Sequence, residues 1–74
     1  MDEFKTTFGQ RLKQLREEKH ISQAQLAKLL NVGTATICYW ETEQTHPVDF
    51  HIVRVAKFFQ VSTDYLLGLI ENNF

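Results

Sequence analysis

The stretch QAQLAKLLNVGTATICYWE, residues 23–41, contains two short helical segments joined by a very short turn. Ser22 precedes the first segment, and its hydroxyl is a favourable N-cap for a run of strong helix formers. Asn31 predicts the end of that helix, because asparagine tolerates a left-handed backbone better than most residues. Gly33 is then a possible N-cap for a second helix with an apolar stripe of Val32, Ile37 and Trp40. A turn of about three residues implies a tight crossing, which the small side chain of Ala27 permits.

A further helix is predicted before this stretch and two after it. Upstream, apolar residues recur at spacings of four, four and three, at Phe4, Phe8, Leu12 and Leu15. Asp2 and Glu3 favour a helix start there, and the helix is expected to end near Lys19. Downstream of a polar loop, Thr42 to Pro47, a fourth helix has Asp49 near its start and the apolar residues Ile52, Val53, Val55, Ala56 and Phe59.

The fourth segment is rich in β-branched and aromatic residues, so in isolation it could also form a strand. Its apolar spacing does not follow period two, and we therefore expect a helix. Ser62 predicts the N-cap of a short fifth helix that Gly68 can close. The sequence thus predicts an all-α fold, with Phe8, Trp40 and Phe59 in its core.

The composition is that of one globular domain spanning residues 1–74, with 43% hydrophobic and 23% charged residues. No apolar run approaches the roughly 20 residues that span a bilayer, and the N-terminus does not have the pattern of a signal peptide. Cys38 is the only cysteine and cannot form an internal disulfide, which fits a cytoplasmic location. One cysteine with scattered histidines, His20, His46 and His51, lacks the spacing of a metal site.

Charge is distributed unevenly along the chain. The net charge is −1, which argues mildly against a nucleic-acid partner. Residues 5–28 are nevertheless predominantly basic, and residues 41–74 are predominantly acidic. The molecule is therefore expected to be electrically polar.

The ordered set of motifs resembles the lambda-repressor-like helix-turn-helix family, also described as Cro-type or xenobiotic-response-element proteins. The matching residues are Ser22-Gln23, Leu26-Ala27, Val32 and Ile37-Cys38-Tyr39-Trp40-Glu41. FGQRLKQLREEK, residues 8–19, is similar to the family's first helix, and residues 61–68 are similar to its last. The resemblance implies a compact five-helix domain with the helix-turn-helix at helices 2 and 3, about residues 23–41.

In function, the resemblance implies a prokaryotic or phage-like transcriptional regulator that binds double-stranded DNA, most naturally a repressor occupying an operator. The second helix of such a motif enters the major groove while the first crosses the backbone. The family also implies a homodimer on DNA, with half-sites about one helical turn apart. Nothing in the sequence indicates a cofactor, a small-molecule ligand, a membrane partner or an enzyme's paired acid, base and nucleophile.

The resemblance also assigns candidate DNA contacts. The outer side of helix 3 is expected to offer Thr34, Ala35, Cys38 and Tyr39 to the bases. Contacts to the DNA backbone are expected from Gln23, Lys28, Thr36, Gln44 and Thr45. Gln23 stands at a helix N-terminus, where it could bond phosphate or instead brace helix 3. Further phosphate contacts would come from whichever of Arg11, Lys13 and Lys19 face the DNA.

Two family features concern the body of the domain and the loop after helix 3. By resemblance, Arg16 and Glu41 face each other as an ion pair, and both lie beside apolar positions, Leu15 and Trp40. The family's loop after Glu41 usually carries a glycine and often basic residues, whereas this chain has Thr42-Glu43-Gln44-Thr45-His46. We therefore expect Glu43 to repel a nearby phosphate.

A second function remains open on sequence grounds: a protein-interaction module of the same fold, such as an antitoxin or antirepressor subunit with weak DNA binding. The net negative charge and Glu43 favour it. Residues 69–74 form a tail or a dimerisation segment. The apolar residues of this segment are Leu69, Ile70 and Phe74. Together with Phe58 of helix 4, they would form a dimer patch or cover the protein's own core.

Overall fold

The computed structural model describes residues 6–71. Within this range the chain forms five helices and no strand: α1 (Phe8–Glu18), α2 (Gln23–Leu30), α3 (Thr34–Glu41), α4 (Asp49–Phe59) and α5 (Thr63–Leu66). The all-α prediction is confirmed, and the fourth segment is a helix.

Helix α1 begins later than the sequence analysis predicted. Thr7 is its N-cap, with its hydroxyl accepting a hydrogen bond from the backbone N–H of Gln10 at 3.2 Å. The Gln10 side chain reciprocates by accepting from the N–H of Thr7 at 3.1 Å. This capping box fixes the helix start at Phe8, so the expected start near Asp2 and Glu3 was wrong. Asp2, Glu3 and Phe4 themselves lie outside the described residues.

Between residues 6 and 71, four non-glycine residues adopt left-handed backbone conformations, each shortly after a helix: His20, Asn31, Glu43 and Gln60, with φ between 58° and 66°. Asn31 ends α2 as predicted, and Gln60 ends α4 in the same way. Gly68, with φ of 80°, follows α5. Its backbone passes so close to the carbonyl of Thr6 that no side chain fits there. These turns reverse the chain and return each helix to a common core.

The core receives side chains from every helix. Its buried apolar residues are Phe8, Leu12, Leu15, Leu26, Ala27, Leu30, Ile37, Trp40, Val55, Ala56, Phe59 and Leu66. Phe8 meets Trp40 edge-on, with ring centroids 6.2 Å apart, which connects α1 to α3. Phe58 is half-buried and packs against this core, while Leu69 is 62% exposed. In the suggested dimer patch, Phe58 is therefore partly covered by the protein's own core, whereas Leu69 is open to solvent. Phe74 lies outside the described residues.

Candidate nucleic-acid interface

The turn between α2 and α3 is held entirely by local backbone and capping bonds. Ser22 and Gln25 form a reciprocal capping box at the start of α2, with bonds of 3.0 and 2.7 Å. After Asn31 turns the chain, the Val32 N–H donates to the Ala27 carbonyl at 2.9 Å. Gly33 then serves as the N-cap of α3 without any side-chain bond. The two helices are thereby set at a fixed angle by residues close in sequence.

Helix α3 is divided into a buried face and an outer face. Ile37 is fully buried and Trp40 is 3% exposed, which anchors the helix in the core. Thr34 and Ala35 are exposed, and Tyr39 is 45% exposed. Thr36 and Cys38 are half-buried at the edges of this outer face. The residues predicted to contact bases therefore lie on one accessible side of α3, with Cys38 the least open of them.

Arg16 of α1 and Glu41 at the end of α3 lie together, as the sequence analysis anticipated. Arg16 Nε donates to Glu41 Oε2 at 2.7 Å, and Arg16 Nη2 donates to Oε1 at 3.2 Å. The side chains are only 12% and 3% exposed. Arg16 also donates to the carbonyl of Ile21 at 2.9 Å. This two-point pairing matches the planar fork of arginine and ties α3 to α1.

Gln23 completes this network. Its amide nitrogen donates to Glu41 Oε1 at 3.0 Å, so it braces α3 from the first turn of α2. Of the two roles considered for Gln23, the structure shows the brace. The hydrogen bonds that Arg16 donates to Glu41 raise the pKa of Arg16, although partial burial opposes the shift. A raised arginine pKa contributes stability that is fully present at every pH below the unfolded value, so this contribution of Arg16 does not vary across the neutral range.

The other candidate backbone contacts lie at the surface. Lys28, Gln44 and Thr45 are exposed. The N–H groups of Gln44 and Thr45 both donate to the carbonyl of Tyr39, at 2.9 and 3.4 Å. These main-chain donors are thus used to close α3, and only the side chains of the two residues remain for a ligand.

The side chain of Glu43 is directed towards α1, a contact that the sequence analysis did not anticipate. Its carboxylate Oε2 accepts a hydrogen bond from the N–H of Gly9, in the first turn of α1. There a negative charge is stabilised by the unpaired N–H groups of the helix N-terminus. Glu43 has a left-handed backbone at this point of the loop. The expected repulsion of a phosphate by Glu43 stays a prediction.

Gly9 is a structurally important residue that the sequence analysis did not single out. A Cβ atom at this position would lie 2.6 Å from the carbonyl oxygens of Trp40 and Glu41. The absence of a side chain therefore allows α1 to approach the end of α3. No local pattern reveals this contact, because its partners lie more than thirty residues away in sequence.

Replacing Glu43 by glutamine should lower the free energy of unfolding by about 1 kcal/mol at low salt, because the charge at the start of α1 is lost. The difference should shrink at about 1 M salt, where exposed charges are screened. Urea titrations at both salt concentrations measure it. Glu71→Gln, the same change at an exposed position, is the matched control. Equal losses in the two variants would contradict the capping role.

Arg11 is unavailable to DNA. It is 6% exposed, and its guanidinium donates to the carbonyls of Tyr65 and Ile70 at 3.1 and 3.2 Å. The guanidinium carbon also lies 3.9 Å from the centroid of the Tyr65 ring. Arg11 was counted among possible phosphate contacts, but its spacing from Phe8 and Leu15 places it on the apolar face of α1. It attaches α1 to α5 and to the segment that follows it, whereas Lys13 and Lys19 remain exposed.

Other kinds of site find little support in the described part of the chain. Residues 6–71 contain no group of three histidine, cysteine or acidic side chains arranged to hold a metal ion. His51 is half-buried and packs beside Trp40, with ring centroids 5.4 Å apart. Over the same residues, every helix is too short or too polar to cross a membrane.

Comparison with known proteins shows what this architecture is. A family model described as helix-turn-helix matches residues 12–66. The chain belongs to the helix-turn-helix family. This family member is 32% identical over 65 residues to the transcriptional regulator ImmR of Bacillus subtilis, covering 88% of this chain and 51% of the relative. It is 36% identical over 59 residues to the repressor protein C2 of Salmonella phage P22, covering 80% of this chain and 27% of that protein.

The structural comparison agrees with the sequence relationship. A crystal structure of the P22 c2 repressor in complex with a synthetic operator has a TM-score of 0.79 and 34% sequence identity to this chain. The match covers 84% of this chain and 94% of that one. The helix-turn-helix chain therefore has the fold of a repressor's DNA-binding part. It spans 51% of the length of ImmR and 27% of the length of the C2 repressor.

Proposed function

We propose that this protein is a sequence-specific DNA-binding transcriptional regulator, and specifically a repressor that occupies an operator by inserting α3 into the major groove. The observation that carries the proposal is the accessible outer face of α3 on a body matching the operator-bound c2 repressor at a TM-score of 0.79. A helix anchored through one face by Ile37 and Trp40 is rigid enough to hold Thr34 and Tyr39 against base edges.

In this proposal the protein acts in the cytoplasm of a bacterium, where bacterial and phage DNA lies. Residues 1–74 form one DNA-binding domain. Bases are contacted by Thr34, Ala35, Cys38 and Tyr39, and the backbone by Lys28, Thr36, Gln44 and Thr45. Gln23, held by Glu41, presents its helix end to a phosphate. Two copies bind a palindrome with half-site centres about 34 Å apart. Residues 69–74 serve as a tail or as a dimerisation segment.

A second function, a protein-interaction module with weak DNA binding, is favoured by one observation. Helix α3 carries no cationic side chain, and the net charge is −1. Phosphate neutralisation supplies much of the affinity of DNA-binding proteins, so this surface has limited electrostatic attraction for a duplex.

Selection of bound duplexes from a random pool tests the proposal. We expect enrichment of one short sequence repeated with two-fold symmetry. Thr34→Ala and Tyr39→Phe should each weaken the preference at a few positions, by about 0.5–1.5 kcal/mol for each single hydrogen bond lost. Lys13→Gln, on the exposed face of α1, is the control and should leave the preferred sequence unchanged. A pool without enrichment would favour the interaction module.

A further inference from the structure

The outer face of α3 has an unusual chemical character for a surface that contacts bases. The helix reads TATICYWE, with neither arginine, lysine, asparagine nor glutamine. These four side chains make the two-point hydrogen bonds that distinguish guanine and adenine in the major groove. Thr34 and Ala35, in the first turn, are exposed and carry one methyl group each.

The amides beside α3 are already engaged. Gln23 donates its amide to Glu41 at 3.0 Å, and Gln44 donates its amide to the hydroxyl of Thr42 at 3.1 Å. Glu41 is itself almost fully buried by its pairing with Arg16. Among the residues that the structure describes, the groups left for base contact are methyl groups, the thiol of Cys38, the ring of Tyr39 and the single hydroxyls of Thr34 and Tyr39. None of these groups can form a two-point hydrogen bond.

We infer that α3 distinguishes bases chiefly by apolar contact with the C5-methyl groups of pyrimidines, so that the preferred site presents thymine methyls to Thr34 and Ala35. The inference rests on the proposed function and specifies its ligand. In the major groove the methyl of thymine is the one apolar feature among the donors and acceptors of the base pairs. Hydroxyls of Thr34 and Tyr39 add single hydrogen bonds, which many base edges can accept or donate.

Base analogues test this directly with the unmodified protein. In the sequence recovered by selection, each thymine is replaced in turn by uracil, which removes only the methyl group. We expect affinity to fall about fourfold for each contacted methyl, the value of one buried methylene converted to a binding ratio. Replacement of guanine by 7-deazaguanine or adenine by 7-deazaadenine removes the N7 acceptor, and should change affinity by less than about twofold.

The protein side of the test uses variants that each remove one methyl group. Thr34→Ser keeps the hydroxyl, and Ala35→Gly leaves no side chain. For each variant, affinity is measured on thymine and uracil duplexes, so any loss of folding stability cancels in the ratio. The uracil penalty should disappear at one position for each variant and persist at the others.

The outcomes separate this inference from the function on which it rests. If no sequence is enriched in the selection, the proposed function fails. If a sequence is enriched but uracil is tolerated at every position and a 7-deazapurine costs more than about tenfold, α3 contacts purine acceptors and the inference alone is overturned. Unchanged uracil penalties in both variants would likewise overturn it.

Discussion

Replacing Glu41 by glutamine should lower the free energy of unfolding by about 3–5 kcal/mol, because the change leaves the nearly buried charge of Arg16 without its partner. A domain of this size has a total stability of only about 4–11 kcal/mol. The variant should therefore melt about 12–40 °C lower, at roughly 4–8 °C for each kcal/mol. Urea or thermal unfolding followed by circular dichroism measures the change.

A double-mutant cycle separates the ion pair from the rest of the network. Arg16→Met also removes the bond to the Ile21 carbonyl, so it should be destabilising by itself. The double variant Arg16→Met/Glu41→Gln should be more stable than the sum of the single losses allows, since neither charge is then stranded. Glu18→Gln, which alters an exposed contact with Gln14, is the control and should cost less than about 0.5 kcal/mol. Strict additivity in the cycle would rule out a stabilising pair.

Gly9→Ala should cost about 3 kcal/mol, because the added methyl meets two main-chain oxygens, which cannot swing aside, as well as the carboxylate of Glu43. Those oxygens belong to Trp40 and Glu41, so relief requires moving the end of α3 away from α1. The same displacement should weaken binding to the selected DNA at temperatures where the variant remains folded. Unfolding in urea and binding to the selected duplex measure the two effects.

Gly33→Ala is the matched control for this substitution. Gly33 has an ordinary φ of −77°, and a methyl there would first meet Thr36 Oγ1 at 3.7 Å, a normal contact distance. It should cost less than about 1 kcal/mol, the range for an unfavourable helix N-cap. Similar losses for the two glycine variants would mean that the packing of α1 on α3 adapts more readily than the contacts suggest.

The sequence could predict whatever depends on neighbouring residues. Caps and apolar spacing located α2, the left-handed Asn31 and the buried pair Ile37 and Trp40. The capping box of Thr7 and Gln10 was equally local, but the acidic residues before it suggested an earlier start for α1. Apolar spacing also places Arg11 on the buried face of α1, where its charge suggested an exposed role.

The remaining omissions concern contacts between residues distant in sequence. Glu43 contacts Gly9 across 34 positions, and the local sequence around either residue does not predict contact with the other. Composition shows that the loop after α3 is acidic, but only the backbone direction at Glu43 determines which way the carboxylate points. Arg16 and Glu41 are also distant, and they were paired by family resemblance rather than by spacing.

The left-handed turns that end the helices affect how freely this protein can change. His20 and Gln60 are exposed polar residues in a backbone conformation that glycine adopts at lower energy. Both positions lie outside α3, so glycine there would add to the stability margin without altering the outer face of that helix. Substitutions on α3 that weaken the fold would then be tolerated more often. The helix ends thus give this chain an accessible route to a changed α3 surface, through stabilising changes that precede it.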